Sequence, residues 1–305
     1  MTTSLSVIVP VFQEAEGLGR TLAELLPRLP AGAEVILVDD GSSDGSGAIC
    51  DDWAKRDPRV RALHHARNGG YGEALKTGAA AARASRLVFF DADGQHDPGA
   101  IARLVARHEQ GDVRLVVGRR TNAARAVPWR APAKWVLGRV AEVLTRARIP
   151  DLNCGLRLVE GDTLRRLAPL LPSGFSLSTT LTVSALQLRI PMDWVDVEVR
   201  PRAGASTVRP LRDGWQTVLL IVRLVALFAP LTFFLPIAGV TFAGSVLYGA
   251  AVALARGQGF PTAAVFGGIA GLLVFLLGIV CDQISALRLE VLNLRGAGPA
   301  AREGP

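Results

Sequence analysis

Short, uninterrupted apolar runs alternate with helical stretches through the first half of the chain, and two long uncharged runs lie toward its end. "LSVIVP", "EVILVDD", "VRALHH", "RLVFFDAD" and "RLVVGR" read as strands. Between them "GLGRTLAELLPRL", "DGSGAICDDWAKRD", "YGEALKTGAAAARAS" and the segment from Asp97 to Glu109 carry helical spacing. Continuous rather than alternating apolar runs are expected where helices cover both faces of a sheet. Strand–helix alternation of this kind predicts an α/β fold with a mostly parallel sheet. Ligands of such sheets bind outside the carboxyl ends of the strands. "VPVFQE", "VDDGSSDG" and "FDADGQ" all fall at those ends, so three polar clusters are predicted to share one edge. Beyond Arg120 the pattern loosens. "AVPWRAPAKW" is a Pro-rich loop entering a helix, and "IPDLNCGLRLVE" a turn with a short strand. "GFSLSTTLTVSALQLRI" is a helix, "DWVDVEVRPR" a strand and "PRAGASTVRP" a basic loop.

No Asp, Glu, Lys or Arg occurs from Leu224 to Ala255 or from Gly257 to Cys281. A bilayer-spanning helix needs about 20 apolar residues, so both runs are long enough; a buried hairpin in a soluble core is the alternative. "LRDGWQTVLLIVRLVALF" mixes charge with apolar residues at helical spacing, which predicts an interfacial helix in its first half. The resulting division is a catalytic domain over 1–209, an interfacial helix over 210–226, two membrane helices over 227–286 and a tail over 287–305. Net charge is +7. Arg209, Arg212 and Arg223 precede the apolar runs and Arg288, Arg295 and Arg302 follow them, with only Arg256 between. That bias places the catalytic domain and both termini in the cytosol, with a short external turn near "ARGQGFP". The charge therefore requires no nucleic-acid partner, and no zinc-finger or RNA-binding signature is present. Cys50, Cys154 and Cys281 are three scattered small residues, neither a disulfide framework nor a metal site.

The candidate chemistry centres on "LVFFDADGQHD". Asp91 and Asp93 repel one another unless a cation lies between them, and hard carboxylate oxygens suit magnesium or manganese. Gln95 adds an amide oxygen nearby. Asp39 and Asp40 end another strand in the same way; capping the helix that starts near Ser43 is the plain alternative for that pair. The glycines of "NGGYGEALKTG" either cradle a phosphate or make a tight, closely packed turn. His64, His65, His96 and His108 lack metal-ligand spacing and read as surface or loop residues.

"VIVPVFQE", "ILVDDGSSDGS", "RNGGYGEALKTG" and "FFDADGQHDP", in that order, resemble family 2 of the glycosyltransferases, with its GT-A fold. "DLNCGLRL", "PRAGAST" and the apolar hairpin are similar to the polyprenyl-phosphate group of that family, which contains dolichyl-phosphate mannose synthase and bacterial undecaprenyl-phosphate enzymes. The resemblance implies a membrane-bound inverting transferase that moves a sugar from a UDP- or GDP-linked donor to a polyprenyl phosphate. It further implies Mg2+ or Mn2+ as cofactor, a bacterial inner-membrane location and a homo-oligomer, although no residue here decides the last. Matched by position, Pro10, Phe12 and Glu14 line the nucleotide, and Asp39 meets the base. Asp91 and Asp93 hold the diphosphate through the metal, with Gln95 in its shell. Arg119 and Arg130 meet phosphate, Asp151 and Arg157 occupy the acceptor side, and Arg202 and Ser206 close over the donor. Those three exposed-looking arginines, Arg119, Arg130 and Arg202, also fit solvated or lipid-facing charges.

Two positions depart from the family pattern. Phe12 stands where tyrosine is common, and Thr207 where the loop usually has lysine. Two other readings compete with sugar transfer to a lipid. A processive polysaccharide synthase would carry Q-x-x-R-W and more membrane helices, which this chain lacks; a non-catalytic scaffold would bind lipid phosphate or nucleotide sugar without turnover. Neither the sugar nor the base is selected by any residue here. Arg209, two residues beyond Thr207, is the natural source of the missing cation. Arg209→Ala is therefore expected to weaken donor affinity, and unchanged affinity in a binding titration would exclude that role.

Overall fold

A computed structural model describes residues 4–121, 131–174, 176–200, 210–257 and 259–296. The chain divides into two compact units, Met1–Gly214 and Trp215–Pro305.

The first unit is built on a seven-stranded sheet. Strands β1 (Leu5–Val11), β2 (Ala33–Asp39), β3 (Val60–His64), β4 (Arg86–Phe89), β5 (Leu115–Arg120), β6 (Arg157–Glu160) and β7 (Met192–Val197) lie in the order β3-β2-β1-β4-β6-β5-β7. Every residue of β2 is buried, and all of β1 except Pro10. That burial on both faces is why these strands read as unbroken apolar runs. The helices are α1 (Ala15–Leu25), α2 (Ser46–Arg56), α3 (Tyr71–Ala81), α4 (Gly99–Glu109), α5 (Ala131–Thr145), α6 (Gly161–Leu167) and α7 (Leu177–Gln187). The pairings β1–β2, β2–β3, β1–β4 and β5–β7 are parallel, as the alternation predicts. Strand β6 runs antiparallel to both β4 and β5. The chain between β5 and β6 contains α5, so the antiparallel entry of β6 is not one that strand–helix alternation predicts. Strand β4 stops at Phe89, earlier than the apolar run suggests, and leaves the acidic pair in a turn.

Close packing fixes α3 on the sheet. A Cβ on Gly78 would collide with Ile8, and one on Gly72 would collide with the Pro172 carbonyl. The glycines of "NGGYGEALKTG" thus serve tight packing.

Helix α8 (Pro210–Phe228) runs across the boundary at Gly214, and the second unit continues with α9 (Pro230–Arg256) and α10 (Thr262–Gly296). Both α9 and α10 are long and apolar enough to cross a membrane, and little of either is buried. An apolar surface left outside any core on this scale fits a membrane hairpin better than a buried hairpin in a soluble core. The two helices pack through small residues. Gly267 meets Ser245, Gly271 meets Phe242 and Gly278 meets Phe234. Close backbone approach at glycine replaces the hydrophobic driving force that lipid does not supply.

Candidate active site

Because β1, β2 and β4 are parallel neighbours, their carboxyl ends open on one edge of the sheet. The loops that leave them are tied together. Gln13, with a positive φ of 56°, donates its backbone N–H to Ser42 Oγ at 3.1 Å. The Glu14 N–H reaches Ser46 Oγ at 2.9 Å, and the Ala15 N–H reaches Asp44 at 3.0 Å. Asp44 also accepts the Ser46 N–H at the start of α2. These bonds use the amides that α1 and α2 leave unpaired at their first turns. Phe12 stands out from this loop, 44% exposed, while Pro10 and Glu14 are half-buried.

The two aspartates ending β2 have separate duties. Asp39 accepts the Ser42 N–H at 3.0 Å and faces His64 Nδ1 at 3.1 Å. Asp40 accepts the Gly69 and Gly70 N–H groups, each at 2.8 Å, and faces His65 Nδ1 at 2.6 Å. Neither caps a helix beginning near Ser43, since α2 starts at Ser46 and Asp44 serves it. Asp40 instead fastens the turn before α3, and the amides that a phosphate would need are already given to a carboxylate.

At the end of β4, Asp91 and Asp93 are half-buried. The turn is held from behind: Thr21 on α1 donates to the Ala92 carbonyl at 3.0 Å, and the Gln95 N–H returns to Asp93 at 3.1 Å. Tyr71, the first residue of α3, donates its hydroxyl to Asp91 at 2.9 Å. Gly155 abuts the same carboxylate so closely that a Cβ there would overlap it. Burial and then the Asp91 charge push the Tyr71 phenol well above its ordinary pKa, so it stays a donor. Beneath them Arg157 is fully buried. It donates to the Ser178 carbonyl at 2.9 Å and to the Cys154 carbonyl, and its Nε has no hydrogen-bond partner among the described residues. Burial pulls its pKa down, and Tyr71, Asp151 and Asp91 act the other way. An unreachable guanidinium cannot touch a substrate; Arg157 acts as a fixed positive charge behind the acidic turn.

His96 lies in the loop after β4, within its reading as a surface or loop residue, but it is buried there, 5% exposed. Its Nε2 lies 3.8 Å from Asp91, and burial lowers its pKa to about 4. Residues 95 and 96 also anchor the approach to the 201–209 segment: His96 pairs with Val199 in an isolated bridge, and the Arg200 N–H donates to the Gln95 carbonyl at 2.8 Å.

The two arginines ending β5 face different surroundings. Arg119 lies directly opposite Asp196 on β7 and forms an exposed ion pair with it. Arg120 grips Asp151 with two nitrogens, Nε at 2.7 Å and Nη2 at 2.9 Å. Asp151 is 10% exposed; burial alone would raise its pKa, but Arg120 and the Asn153 and Arg120 amides together hold it below the ordinary value. Arg120 also interacts with Asp91. Strand parity is the signal that distinguishes the two arginines, since successive side chains on a strand point to opposite faces. Arg130, Arg202, Ser206, Thr207 and Arg209 lie outside the described residues. Among the described residues, no three His, Cys, Asp or Glu side chains gather closely enough to hold a metal ion on their own. Cys50 and Cys154 are buried, their thiols pushed up to about 12 by burial, and chemically quiet.

The model of "Glycosyl transferase family 2" matches residues 6–163. The chain belongs to this family. A second model, "GtrB C-terminal hairpin", matches residues 229–287. Among curated relatives, an undecaprenyl-phosphate mannosyltransferase from Micrococcus luteus is 30% identical over 63% of this chain and 84% of its own length. A polyprenol monophosphomannose synthase from Mycolicibacterium smegmatis is 32% identical, over 53% of this chain and 63% of its own. Among solved structures, glucosyl-3-phosphoglycerate synthase from Mycobacterium tuberculosis, in complex with Mn2+, UDP-glucose and phosphoglyceric acid, superposes with a TM-score of 0.59. That match is at 18% identity and covers 73% of this chain and 80% of the other. The protein is thus a family 2 glycosyltransferase with a GT-A-like sheet and a C-terminal membrane hairpin, and its relatives include polyprenyl-phosphate sugar transferases.

Breaking the Arg120–Asp151 pair should cost stability as well as shape. Asp151→Asn is expected to lose roughly 3 kcal/mol near neutral pH by leaving a half-buried guanidinium unpaired. Because the folded carboxyl has a lowered pKa, the wild-type advantage holds above the unfolded value near 4 and fades as pH falls below it. Chemical denaturation of both proteins between pH 7 and 3 checks this; a gap that grows with acidity would contradict it.

Proposed function

We propose that this glycosyltransferase moves a sugar from a nucleotide-sugar donor, UDP- or GDP-linked, to a polyprenyl phosphate, with inversion at the anomeric carbon. The acidic turn Asp91–Asp93, backed by the buried Arg157, carries the reading. An undecaprenyl-phosphate mannosyltransferase among the relatives and the matched hairpin supply the lipid acceptor.

Two half-buried carboxylates, with no third His, Cys, Asp or Glu gathered beside them among the described residues, suit a hard divalent cation that completes its shell with an amide, water and phosphate oxygens. Asp91 and Asp93 would hold Mg2+ or Mn2+, with Gln95 beside them; a solved neighbour binding Mn2+ with UDP-glucose supports the same choice. When bound, the ion neutralises the charge that develops on the departing nucleoside diphosphate. Pro10, Phe12 and Glu14 line the nucleotide, the exposed Phe12 ring offering a stacking face. Asp39, at the end of β2, meets the base. Arg202, Ser206 and Arg209 close over the diphosphate, and Arg130 meets phosphate. Arg119, in an exposed pair with Asp196, meets phosphate, and Arg120, fixed by Asp151 and interacting with Asp91, adds a second cation at the end of β5. A lipid phosphate is already ionised at neutral pH, so its oxygen needs little help from a base. Asp151, locked to Arg120, orients rather than deprotonates.

The hairpin brings the acceptor to the site. By the positive-inside rule, residues 1–209 and both termini face the cytosol of a bacterial inner membrane. Residues 210–226 lie along the interface, and 227–286 span the membrane. The test mixes membranes bearing the protein with radiolabelled nucleotide sugars, magnesium and undecaprenyl phosphate. An organic-soluble labelled lipid is expected, and Asp93→Asn should reduce its formation by about a hundredfold or more, the scale of losing one electrostatic stabiliser. Labelled polymer, or no turnover with any donor, would contradict the proposal.

A further inference from the structure

Tyr71 opens α3, and its backbone is wedged in place. On one side of it Gly70 has a positive φ of 96°, and a Cβ there would lie 2.6 Å from the Ser173 carbonyl oxygen. On the other side a Cβ on Gly72 would collide with the Pro172 carbonyl. The Glu73 N–H donates to the Ser173 carbonyl at 3.0 Å, and Ser173 Oγ donates to the Glu73 carboxylate at 2.7 Å. Asp40 holds the Gly69 and Gly70 amides from the direction of β2. The residue keeps some exposure, but its hydroxyl lies deep. There it meets Asp91 Oδ1 at 2.9 Å and is also hydrogen-bonded to the Ser178 side chain on α7. An ionised carboxylate only accepts, so the single phenol proton goes to Asp91 and Ser178 donates to the phenol oxygen. At the other oxygen of Asp91, Gly155 stands so close that no side chain fits, and His96 Nε2 lies 3.8 Å away.

We propose that Tyr71 is a positioning residue for sugar transfer: its hydroxyl fixes the Asp91 carboxylate in the orientation in which it grips the divalent cation. The proposal rests on the reading of Asp91 as a metal ligand. Packing alone does not account for a tyrosine here. Phenylalanine would fill the same space without burying a hydroxyl, and a buried hydroxyl is costly unless its bond is made. The bond is made to the carboxylate that the metal needs. An aspartate free to rotate must be ordered when the ion arrives, and that ordering opposes binding. A hydrogen bond from behind removes the cost in advance, as groups behind metal ligands do elsewhere. The wedge at Gly70 and Gly72 gives the donor a fixed base, and the Gly155 backbone limits retreat on the far side.

The test is Tyr71→Phe in the purified full chain in detergent, which keeps the ring and removes only the donor. Mn2+ affinity is followed by electron paramagnetic resonance in the presence of UDP, and again of GDP; nucleotide affinity is measured separately without metal. Mn2+ is expected to bind about tenfold more weakly, the scale of losing a group behind a metal ligand. Nucleotide affinity without metal should not change. In membranes the variant should need more Mn2+ for half-maximal turnover, with an unaltered KM for undecaprenyl phosphate. Gly155→Ala, which displaces Asp91 from its other side, should weaken Mn2+ binding in the same way and carries the test if Tyr71→Phe fails to fold. Equal Mn2+ affinity in variant and unaltered chain overturns the inference. So does a parallel loss of metal-free nucleotide affinity, the mark of a merely structural residue; the proposed function survives both results. If the unaltered chain binds no Mn2+ with either nucleotide, the metal reading of the acidic turn fails first and this inference with it.

Discussion

Two carboxylates one residue apart, at the open end of a sheet, set the terms for everything around them. At an effective dielectric near 20, unit charges about 4 Å apart interact by about 4 kcal/mol, so an uncompensated pair would protonate or pull the turn apart. This chain compensates from below. Arg157 is buried without a substrate-facing path, Tyr71 donates to Asp91, and Gly155 lets the backbone close against that carboxylate. A buried cation is expensive unless anions face it, which ties the position of Arg157 to that of the acidic turn.

The same economy recurs around the rim. Asp40 and Asp44 are spent on backbone amides of neighbouring loops, and Asp39 is clamped on both oxygens. Each acid fixes one loop relative to another, so the edge is rigid before any donor arrives. Preorganised dipoles of this kind act on charge without reorganising during the reaction. The hairpin adds a constraint of another type, since a lipid acceptor and a soluble donor meet only at an interface.

Much of this was legible in the residues. The strand-like runs located all seven strands, most sharply β1, β2 and β4, whose residues are largely buried, and the uncharged stretches located α9 and α10. The acidic turn was visible because like charges after an apolar strand demand an explanation. What escaped depended on contacts between distant segments. The direction of β6, antiparallel to both neighbours although α5 precedes it, is encoded by no local pattern. Position matching picked out Arg119, but not its exposed pairing with Asp196 on β7 or the pairing of its neighbour Arg120 with Asp151. The burial of His96 comes from its bridge to Val199, about a hundred residues away in sequence.

If the acidic turn is completed by a ligand, metal and nucleotide must bind cooperatively, and by linkage each must strengthen the other equally. The direct measurement is the affinity of the purified chain for Mn2+, followed by electron paramagnetic resonance, with and without a nucleoside diphosphate. Weak binding alone and at least about tenfold tighter binding with nucleotide, lost in Asp91→Asn, is the predicted result. An affinity for Mn2+ that ignores the nucleotide would contradict the account.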